Sequence, residues 1–188
     1  WGKSRLSIST IIRAAAKERK QRVWYVAPTY QMARQILWDD LQEVLPRKWI
    51  RKKNDTTMTI VLKNGSEIAL KGADKPDTLR GVALHFVVLD EFQDMKPDTW
   101  YKVLRPTLSS TRGGALIIGT PKGFSEFHKL WTIGQNKELQ RKGQWKSWQF
   151  VTADSPFVPT AEIEAAKNDM DPKSFAQEYL ASFENMSG

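Results

Sequence analysis

The amino-acid sequence predicts an α/β fold in which a mainly parallel central sheet carries one inserted β-hairpin. Short apolar runs, typical of buried strands, alternate along the chain with longer segments of helical periodicity. Asn64-Gly65 separates two strand-like segments and is a strong signal for a hairpin turn. The chain has 188 residues, of which 40% are hydrophobic and 27% charged, so one globular domain over 1–188 is expected.

Apolar spacing predicts the first three elements. After Lys3 the apolar residues fall at i, i+3, i+4 and i+7, which indicates an amphipathic helix. The run VWYVAP (23–28) is almost continuously apolar and predicts a buried strand. A second helix follows over 29–45, where Thr29 can cap the first turn and Pro46 ends the pattern.

The middle of the chain predicts the hairpin and a loop. TMTIVL (57–62) and SEIAL (66–70) are the two hairpin strands. KGADKPDTLRG (71–81) is polar and is interrupted by glycine and proline, so it is expected to be a loop.

The remaining elements are three strands and two helices. HFVVLDEF (85–92) and ALIIGTPKG (115–123) are apolar runs, and WKSWQFV (145–151) alternates in polarity and predicts a last strand. Two helices are expected over TAEIEAAKNDM and DPKSFAQEYLASF. In the second helix Asp171 is the predicted cap and Pro172 the first helical residue.

Composition restricts the classes of function. The net charge of +8 indicates an anionic partner, first of all nucleic acid, although a lysine-rich surface on a soluble protein is the simpler alternative. The absence of cysteine excludes disulfides and Cys-ligated zinc, and it fits a cytosolic protein. No apolar run approaches the roughly 18 residues of a membrane span, so no membrane association is expected.

Asp90 and Glu91 close the apolar strand HFVVLDEF. Ligands of open α/β sheets bind beyond the carboxyl ends of the strands. Adjacent acids are costly there, because both are partly desolvated and carry like charges. Nucleotide hydrolysis uses both, one to hold Mg²⁺ and the other to orient the attacking water. The alternative is that the pair merely begins a helix or loop, where acids favour the N-terminal dipole.

Gly2, Lys3 and Ser4 match the second half of a phosphate-binding loop, G-x-x-x-x-G-K-[ST]. Gly2 lets the backbone approach phosphate, Lys3 neutralises the β and γ oxygens, and the Ser4 hydroxyl binds Mg²⁺. The tripeptide alone is a weak signal. A GKS-helix, then VVLDE, then IIGTP in this order is a strong signal for a nucleotide site.

Arg80 and Thr120 are two further candidates, each with a simpler explanation. Arg80 lies in the polar loop, where its guanidinium could stabilise a transferring phosphoryl group or only pair with Asp74 or Asp77. Thr120 ends an apolar strand in GTP, where its hydroxyl could sense the γ-phosphate or only take part in a turn.

Together these motifs resemble the ATPase domain of the large terminase subunit, the genome-packaging motor of tailed bacteriophages. The similarity extends from residue 1 to about 184. Its ordered stretches are WGKS, VWYVAPTYQMAR, KGADKPDTLRG, FVVLDEFQDM, LRPTLSSTRGGALIIGTPKGF and SFAQEYLASF.

The resemblance implies a three-layer RecA-like fold of the ASCE P-loop NTPase class. It implies that WGKS ends a Walker A loop, that Asp90 is the Mg²⁺-linked Walker B acid, and that Glu91 is the catalytic base. Arg80 then matches the arginine finger that acts on a neighbouring subunit, with Arg105 and Arg112 as weaker candidates. Thr120 matches the coupling residue.

The same resemblance implies the substrate and the partners. The substrate is ATP with Mg²⁺ as cofactor, and the work is the movement of double-stranded DNA into a procapsid. The family's motor is a homo-oligomeric ring, usually of five subunits, that docks on the portal and works with a small terminase subunit. Such a protein acts at the procapsid in the host cytoplasm.

This sequence departs from the family pattern in two places. The front half of Walker A, with the upstream segment that contacts adenine, does not occur in 1–188, so the sequence begins inside that loop. The C-terminal nuclease domain is also absent from 1–188, so DNA cleavage is not expected of these residues.

Two other functions fit parts of the pattern. One RecA-like half of a helicase or another DNA translocase would share the strand–DE motif, but 188 residues leave no room for a second such domain. A non-catalytic module that binds DNA or docks a partner would fit the incomplete loop. The presence of Lys3, Arg80, Asp90 and Glu91 together disfavours loss of catalysis.

Overall fold

The structure is a computed structural model that describes residues 2–183, so Trp1, the first residue of the WGKS motif, lies outside the described residues. It contains two compact units. The sheet unit is Gly2–Ile118, and the helical unit begins at Gly119 and is described to Phe183.

A six-stranded mixed sheet forms the centre of the sheet unit, with the order β2-β3-β4-β1-β5-β6. Strands β4, β1, β5 and β6 pair in parallel, whereas β2–β3 and β3–β4 pair antiparallel. The predicted mainly parallel sheet is therefore confirmed. The strands are β1 Arg22–Ala27, β2 Ile50–Asn54, β3 Thr59–Leu62, β4 Glu67–Gly72, β5 Phe86–Leu89 and β6 Gly114–Ile117.

Helices pack against this sheet. The apolar spacing predicted the first two of them. The predicted helix over 29–45 is continuous, but its middle turn is π-helical. A third helical segment, over 99–107, was not expected from the sequence. The helical segments are α1 Lys3–Lys17, α2 Tyr30–Ala33, the π-helical Arg34–Trp38, α3 Asp39–Val44, the π-helical Thr99–Leu104 and α4 Arg105–Thr107.

The predicted periodicity of α1 corresponds to its buried stripe. Ile8, Ile11 and Ala15 are at most 2% exposed and belong to one apolar cluster with residues of β1 and β4. Strand β1 is buried on both faces, because Trp24 and Val26 on one face are at most 3% exposed and Tyr25 on the other is 0% exposed. A strand covered on both faces explains the continuous apolar run in the sequence.

The predicted hairpin turn joins β3 to β4. Gly65 adopts φ +85°, a conformation that glycine adopts without steric cost. The Asn64 side chain accepts a hydrogen bond from the Ser66 amide at 2.9 Å and donates one to the Ala15 carbonyl at 2.9 Å. The turn is thus fastened to the end of α1. Strand β2 pairs with the hairpin at the edge of the sheet. Its basic sequence RKKN has no apolar pattern, so this strand was not predicted.

The helical unit contains α5 Glu126–Gln135, α6 Lys137–Arg141, α7 Thr160–Asp169 and α8 Pro172–Glu178. The two terminal helices are confirmed, and Asp171 caps α8 by accepting a hydrogen bond from the Ser174 amide at 3.0 Å. Helices α5 and α6 were not expected. Among residues 2–183, no helix has the length and apolar character needed to cross a membrane.

The strand predicted over 145–151 is wrong, because this segment has no regular secondary structure. Ser147 of this segment bonds to α5, and the Gln149 side chain donates to the Ala181 carbonyl at 2.7 Å. Gln135 donates to the Ser147 carbonyl at 3.1 Å, and the Ser147 hydroxyl donates to the Trp131 carbonyl at 2.6 Å. The alternating Trp148 and Phe150 are 57% and 52% exposed, so they do not form the buried face of a strand.

Candidate functional site

The carboxyl end of β5 places Asp90 in the interior of the sheet unit. Asp90 is 1% exposed, and its amide donates to the Val26 carbonyl at 2.9 Å. Both carboxylate oxygens accept a hydrogen bond. The Tyr25 hydroxyl donates to Oδ2 at 2.8 Å, and the Glu91 amide donates to Oδ1 at 2.9 Å. The orientation of this carboxyl group is therefore fixed from two sides.

Burial dominates the electrostatics of Asp90. Desolvation raises the pKa of its carboxyl group above the ordinary value, and the neighbouring Glu91 charge acts in the same direction. The Tyr25 hydrogen bond and the Lys3 charge act against this rise. A positive charge beside this carboxylate would offset the solvation that burial removes.

Glu91 follows Asp90 in a left-handed backbone conformation, with φ 51° and ψ 44°. This conformation is uncommon for a residue with a side chain and is found preferentially at functional sites. Lys3 Nζ lies 3.0 Å from Glu91 Oε1, and the Gln93 side-chain amide donates to Oε2 at 2.7 Å. The Glu91 side chain is 24% exposed, so water can reach it.

The Lys3–Glu91 contact joins the start of α1 to the end of β5. Helix α1 begins at Lys3, so its N-terminal turn and positive dipole end lie at the same contact. Gly2 precedes the helix and is exposed, and its carbonyl accepts the first hydrogen bond from Leu6 at 2.9 Å. Ser4 lies in the first helical turn and is half-buried. A lysine, a helix N-terminus and two acids thus lie together at the carboxyl end of β5.

Hydroxyl and carboxylate oxygens, which Ser4 and Asp90 carry, are the ligands that Mg²⁺ prefers. Among residues 2–183, no group of three or more acidic or histidine side chains could hold a metal ion. A divalent cation bound by Asp90 and Ser4 would therefore take its other ligands from phosphate and water, as Mg²⁺ commonly does.

Arg80 lies on the surface of the sheet unit, at the end of the 3₁₀ turn Pro76–Leu79. Its side chain is 54% exposed, and its Nε lies 3.3 Å from Asp77 Oδ1. It also donates to the Lys102 carbonyl at 3.4 Å. Within this chain, then, Arg80 has the surface pairing with Asp77 that was the alternative to a role in phosphoryl transfer.

The other candidates come from later elements of the chain. Arg105 begins α4, and Arg112 follows in a turn with φ 53°; both are exposed. Thr120 lies just beyond β6, at the start of the helical unit.

Two residues of the site were missed in the sequence. Tyr25 lies inside an apolar strand and gave no sign of its hydrogen bond to Asp90. Gln93 lies in the polar stretch after the acids, where many residues could contact Glu91. The hydroxyl of a tyrosine in a buried strand could have indicated such a contact, because a buried tyrosine hydroxyl requires a hydrogen-bond partner.

One protein family matches the full length of this chain, and related proteins match most of it. The family described as terminase large subunit, T4likevirus-type, N-terminal, matches residues 1–188. The large terminase subunit of Escherichia phage T5 is 30% identical over 175 residues, which is 91% of this chain and 39% of that protein. That of Thermus phage G20c is 33% identical over 147 residues, or 68% of this chain and 30% of that protein. The chain thus spans well under half the length of these relatives.

Solved structures agree with the fold. The large terminase ATPase domain of Thermus phage P74-26 has a TM-score of 0.84 and 25% identity, over 97% of this chain and 84% of that one. A large terminase from another thermophilic bacteriophage, in complex with ADP, has a TM-score of 0.76 and 17% identity, over 97% of this chain and 46% of that one. These likenesses confirm the RecA-like α/β fold that the motifs implied.

Proposed function

The chain belongs to the N-terminal family of phage terminase large subunits, and from this premise we propose that it is the ATP-hydrolysing motor domain that drives double-stranded DNA into the procapsid. One observation supports the hydrolytic part above all. Lys3, at the N-terminus of α1, contacts Glu91 at 3.0 Å, beside the buried Asp90. A cation, a helix N-terminus and two carboxylates at one strand end are the parts that nucleotide hydrolysis requires.

Gly2, Lys3 and Ser4 bind the phosphates in this proposal. The exposed backbone at Gly2 leaves room for phosphate oxygens, and the dipole of α1 favours their negative charge. Lys3 neutralises the β and γ oxygens. ATP thereby competes with Glu91 for the Lys3 ammonium, so that nucleotide binding releases Glu91 Oε1.

Asp90 and Ser4 are the residues that would hold Mg²⁺. When bound, Mg²⁺ neutralises charge on the β and γ phosphates and so stabilises the transition state. Glu91 accepts the proton of the attacking water and orients it. The two carboxylates have different hydrogen-bond donors, Gln93 for Glu91 and Tyr25 for Asp90, which suits separate tasks.

Arg80 acts on the nucleotide of a neighbouring subunit. Its exposed side chain supports this role, because a finger must leave its own chain to reach another. Thr120, beyond the end of β6, couples hydrolysis to movement. The active form is accordingly a homo-oligomeric ring of five subunits, docked on the portal and supplied with DNA by the small terminase subunit.

Double-stranded DNA is the polymer that the ring moves. The net charge of +8 suits a polyanion, and contacts to backbone phosphates permit movement along any sequence. The protein acts in the host cytoplasm, at the procapsid, during packaging. Residues 1–188 form the ATPase domain and are not assigned DNA cleavage.

ATP turnover and ATP binding of Glu91→Gln test this function. Turnover is expected to fall by about 10²–10⁴, because the general base is lost, while ATP affinity is retained. The protein used in these assays carries the residues before Trp1 that complete the phosphate-binding loop. Glu164→Gln, an exposed acid of α7, is the matched control and keeps full turnover. Turnover of Glu91→Gln equal to that of an active parent would show that Glu91 is not the base. A parent that binds DNA but hydrolyses no ATP would replace the motor with a binding module.

A further inference from the structure

We propose that Tyr25 is a positioning residue, whose hydroxyl holds the Asp90 carboxylate in the orientation that binds the cation of a metal–nucleotide substrate. This inference rests on the proposed function and adds a residue that the motifs do not contain. Tyr25 lies on β1, whereas Asp90 follows β5, so the contact joins two strands of the sheet.

The strand register creates this contact. Strands β1 and β5 pair in parallel with Tyr25 opposite Val88. Asp90 follows Val88 by two positions, which is the repeat that returns a side chain to the same face of a strand. The long tyrosine side chain covers that distance, and its hydroxyl ends 2.8 Å from Asp90 Oδ2.

Packing explains the ring of Tyr25 but leaves its hydroxyl unexplained. Tyr25 is fully buried and belongs to the apolar cluster between α1 and the sheet. Phenylalanine would fill nearly the same volume without the cost of burying a hydroxyl group, which is worthwhile only when the hydroxyl is hydrogen-bonded. Across residues 2–183, the partner that the structure gives this hydroxyl is Asp90.

The hydrogen bond restricts rotation of the Asp90 carboxylate. The Glu91 amide holds Oδ1 alone, so that without Tyr25 the group could turn about this one anchor. Two donors on two oxygens fix its plane. An ionised carboxylate accepts about four hydrogen bonds or ligand contacts, so both oxygens keep acceptor capacity for a cation. Partners that orient a metal ligand in this way typically affect metal affinity by about 10–100-fold.

Tyr25→Phe removes the hydroxyl and keeps the ring. The experiment measures the affinity for a fluorescent ATP analogue in Mg²⁺ and in EDTA, the Mg²⁺ concentration at half-maximal turnover, and the melting temperature. The protein again has a complete phosphate-binding loop. We expect the half-maximal Mg²⁺ concentration to rise about tenfold or more, with affinity in EDTA unchanged. Tyr30→Phe is the matched control, because the Tyr30 hydroxyl donates to the Thr56 carbonyl at 2.6 Å, away from Asp90.

Three other outcomes overturn the inference. An unchanged Mg²⁺ dependence would show that the hydroxyl does not orient Asp90. An equal loss of affinity in Mg²⁺ and EDTA, with a lower melting temperature, would show a role in packing only. A parent protein that binds no nucleotide would overturn the proposed function and this inference with it, whereas the first two results would leave that function standing.

A second pair of variants decides the matter if Tyr25→Phe alone does not fold. Asp90→Ala and Asp90→Ala/Tyr25→Phe are compared for folding and melting temperature. A hydroxyl that acts through Asp90 becomes dispensable once its acceptor is removed, so the double variant should melt no lower than Asp90→Ala. A double variant that still fails to fold would assign Tyr25 to the core and contradict the inference.

Discussion

The end of β5 and the loop 73–81, called here the Arg80 loop, hold their charged groups in opposite ways. Asp90 is 1% exposed and receives hydrogen bonds from Tyr25 and from the Glu91 amide. The Arg80 side chain is 54% exposed, and its acidic partner Asp77 is 96% exposed. The acids are thus organised within the chain, whereas the arginine is held loosely on its surface.

The difference teaches how the proposed machinery is divided between subunits. A buried charge is costly and is retained where its partners are built into the fold. An exposed ion pair contributes about 0–1 kcal/mol, so Arg80 can exchange Asp77 for another partner at little cost. In the proposed function, one chain supplies the carboxylate half of the site and the guanidinium acts on a neighbour.

Arg80→Ala is expected to have the largest effect on activity. Loss of an arginine finger lowers turnover by about 10³–10⁵, and here it should act only between subunits. Turnover per subunit should therefore rise with protein concentration in the parent and remain low and flat in Arg80→Ala. ATPase assays over a concentration series measure this directly, with light scattering to follow association.

Arg112→Ala is the matched control, since Arg112 is also exposed in the sheet unit. It should keep the concentration dependence of the parent. Turnover per subunit in Arg112→Ala or Arg105→Ala could instead stay low at every protein concentration while Arg80→Ala behaves as the parent. The finger would then be one of these two arginines, and the Arg80–Asp77 pair would be merely structural.

Asp90→Asn tests the buried side of the comparison. Turnover with Mg²⁺ should fall by about 10² or more, because loss of a charged metal ligand removes several kcal/mol of transition-state stabilisation. The melting temperature should stay equal or rise, since the variant no longer buries a charge at a position that is 1% exposed. ATPase assays and thermal unfolding measure the two quantities. A large drop in melting temperature would show that the charge stabilises the fold.

Gly72→Ala and Gly81→Ala compare the last residue of β4, just before the Arg80 loop, with the last residue of that loop. A Cβ at Gly72 would lie 2.2 Å from the Tyr30 amide nitrogen and 2.7 Å from the Thr29 carbonyl carbon, so the backbone would have to move. Gly72→Ala should therefore lower the free energy of unfolding by about 3 kcal/mol. A Cβ at Gly81 meets nothing within 4 Å, and its φ of +76° alone should cost about 1 kcal/mol. Urea unfolding measures the free energy of unfolding of both variants. Equal decreases in the two variants would show that the backbone is packed equally closely at Gly72 and Gly81.

Apolar spacing predicted most of the sheet unit, because strands and helices that bury one or both faces leave a period in the sequence. It could not predict β2, whose residues Arg51 to Asn54 are exposed at the sheet edge and carry no apolar alternation. It predicted a strand over 145–151 from alternation alone. That pattern cannot tell whether a neighbouring strand exists, and here Ser147 bonds to α5 instead.

Motif spacing identified Lys3, Asp90 and Glu91, and the structure shows the contact between Lys3 and Glu91. Tyr25 could not be found in this way. Its contact depends on the register that sets it opposite Val88, and neither strand specifies that register by itself. The left-handed backbone of Glu91 was equally hidden, since glycine is the residue that normally signals it.

Asp77→Asn should have the smallest effect and tests the exposed side of the comparison. The Arg80–Asp77 pair spans 3.3 Å between side chains that are 54% and 96% exposed, so water and salt screen it strongly. The melting temperature should be unchanged within error. Turnover per subunit should be equal to that of the parent or modestly higher at low protein concentration, because Arg80 no longer leaves an ion pair when it reaches a neighbour and gives up only its hydrogen bond to the Lys102 carbonyl. ATPase assays at low and high salt measure this. A fall in turnover that resembles Arg80→Ala would mean that Asp77 orients the arginine for transfer, and that the Arg80 loop is organised within the chain as firmly as the end of β5.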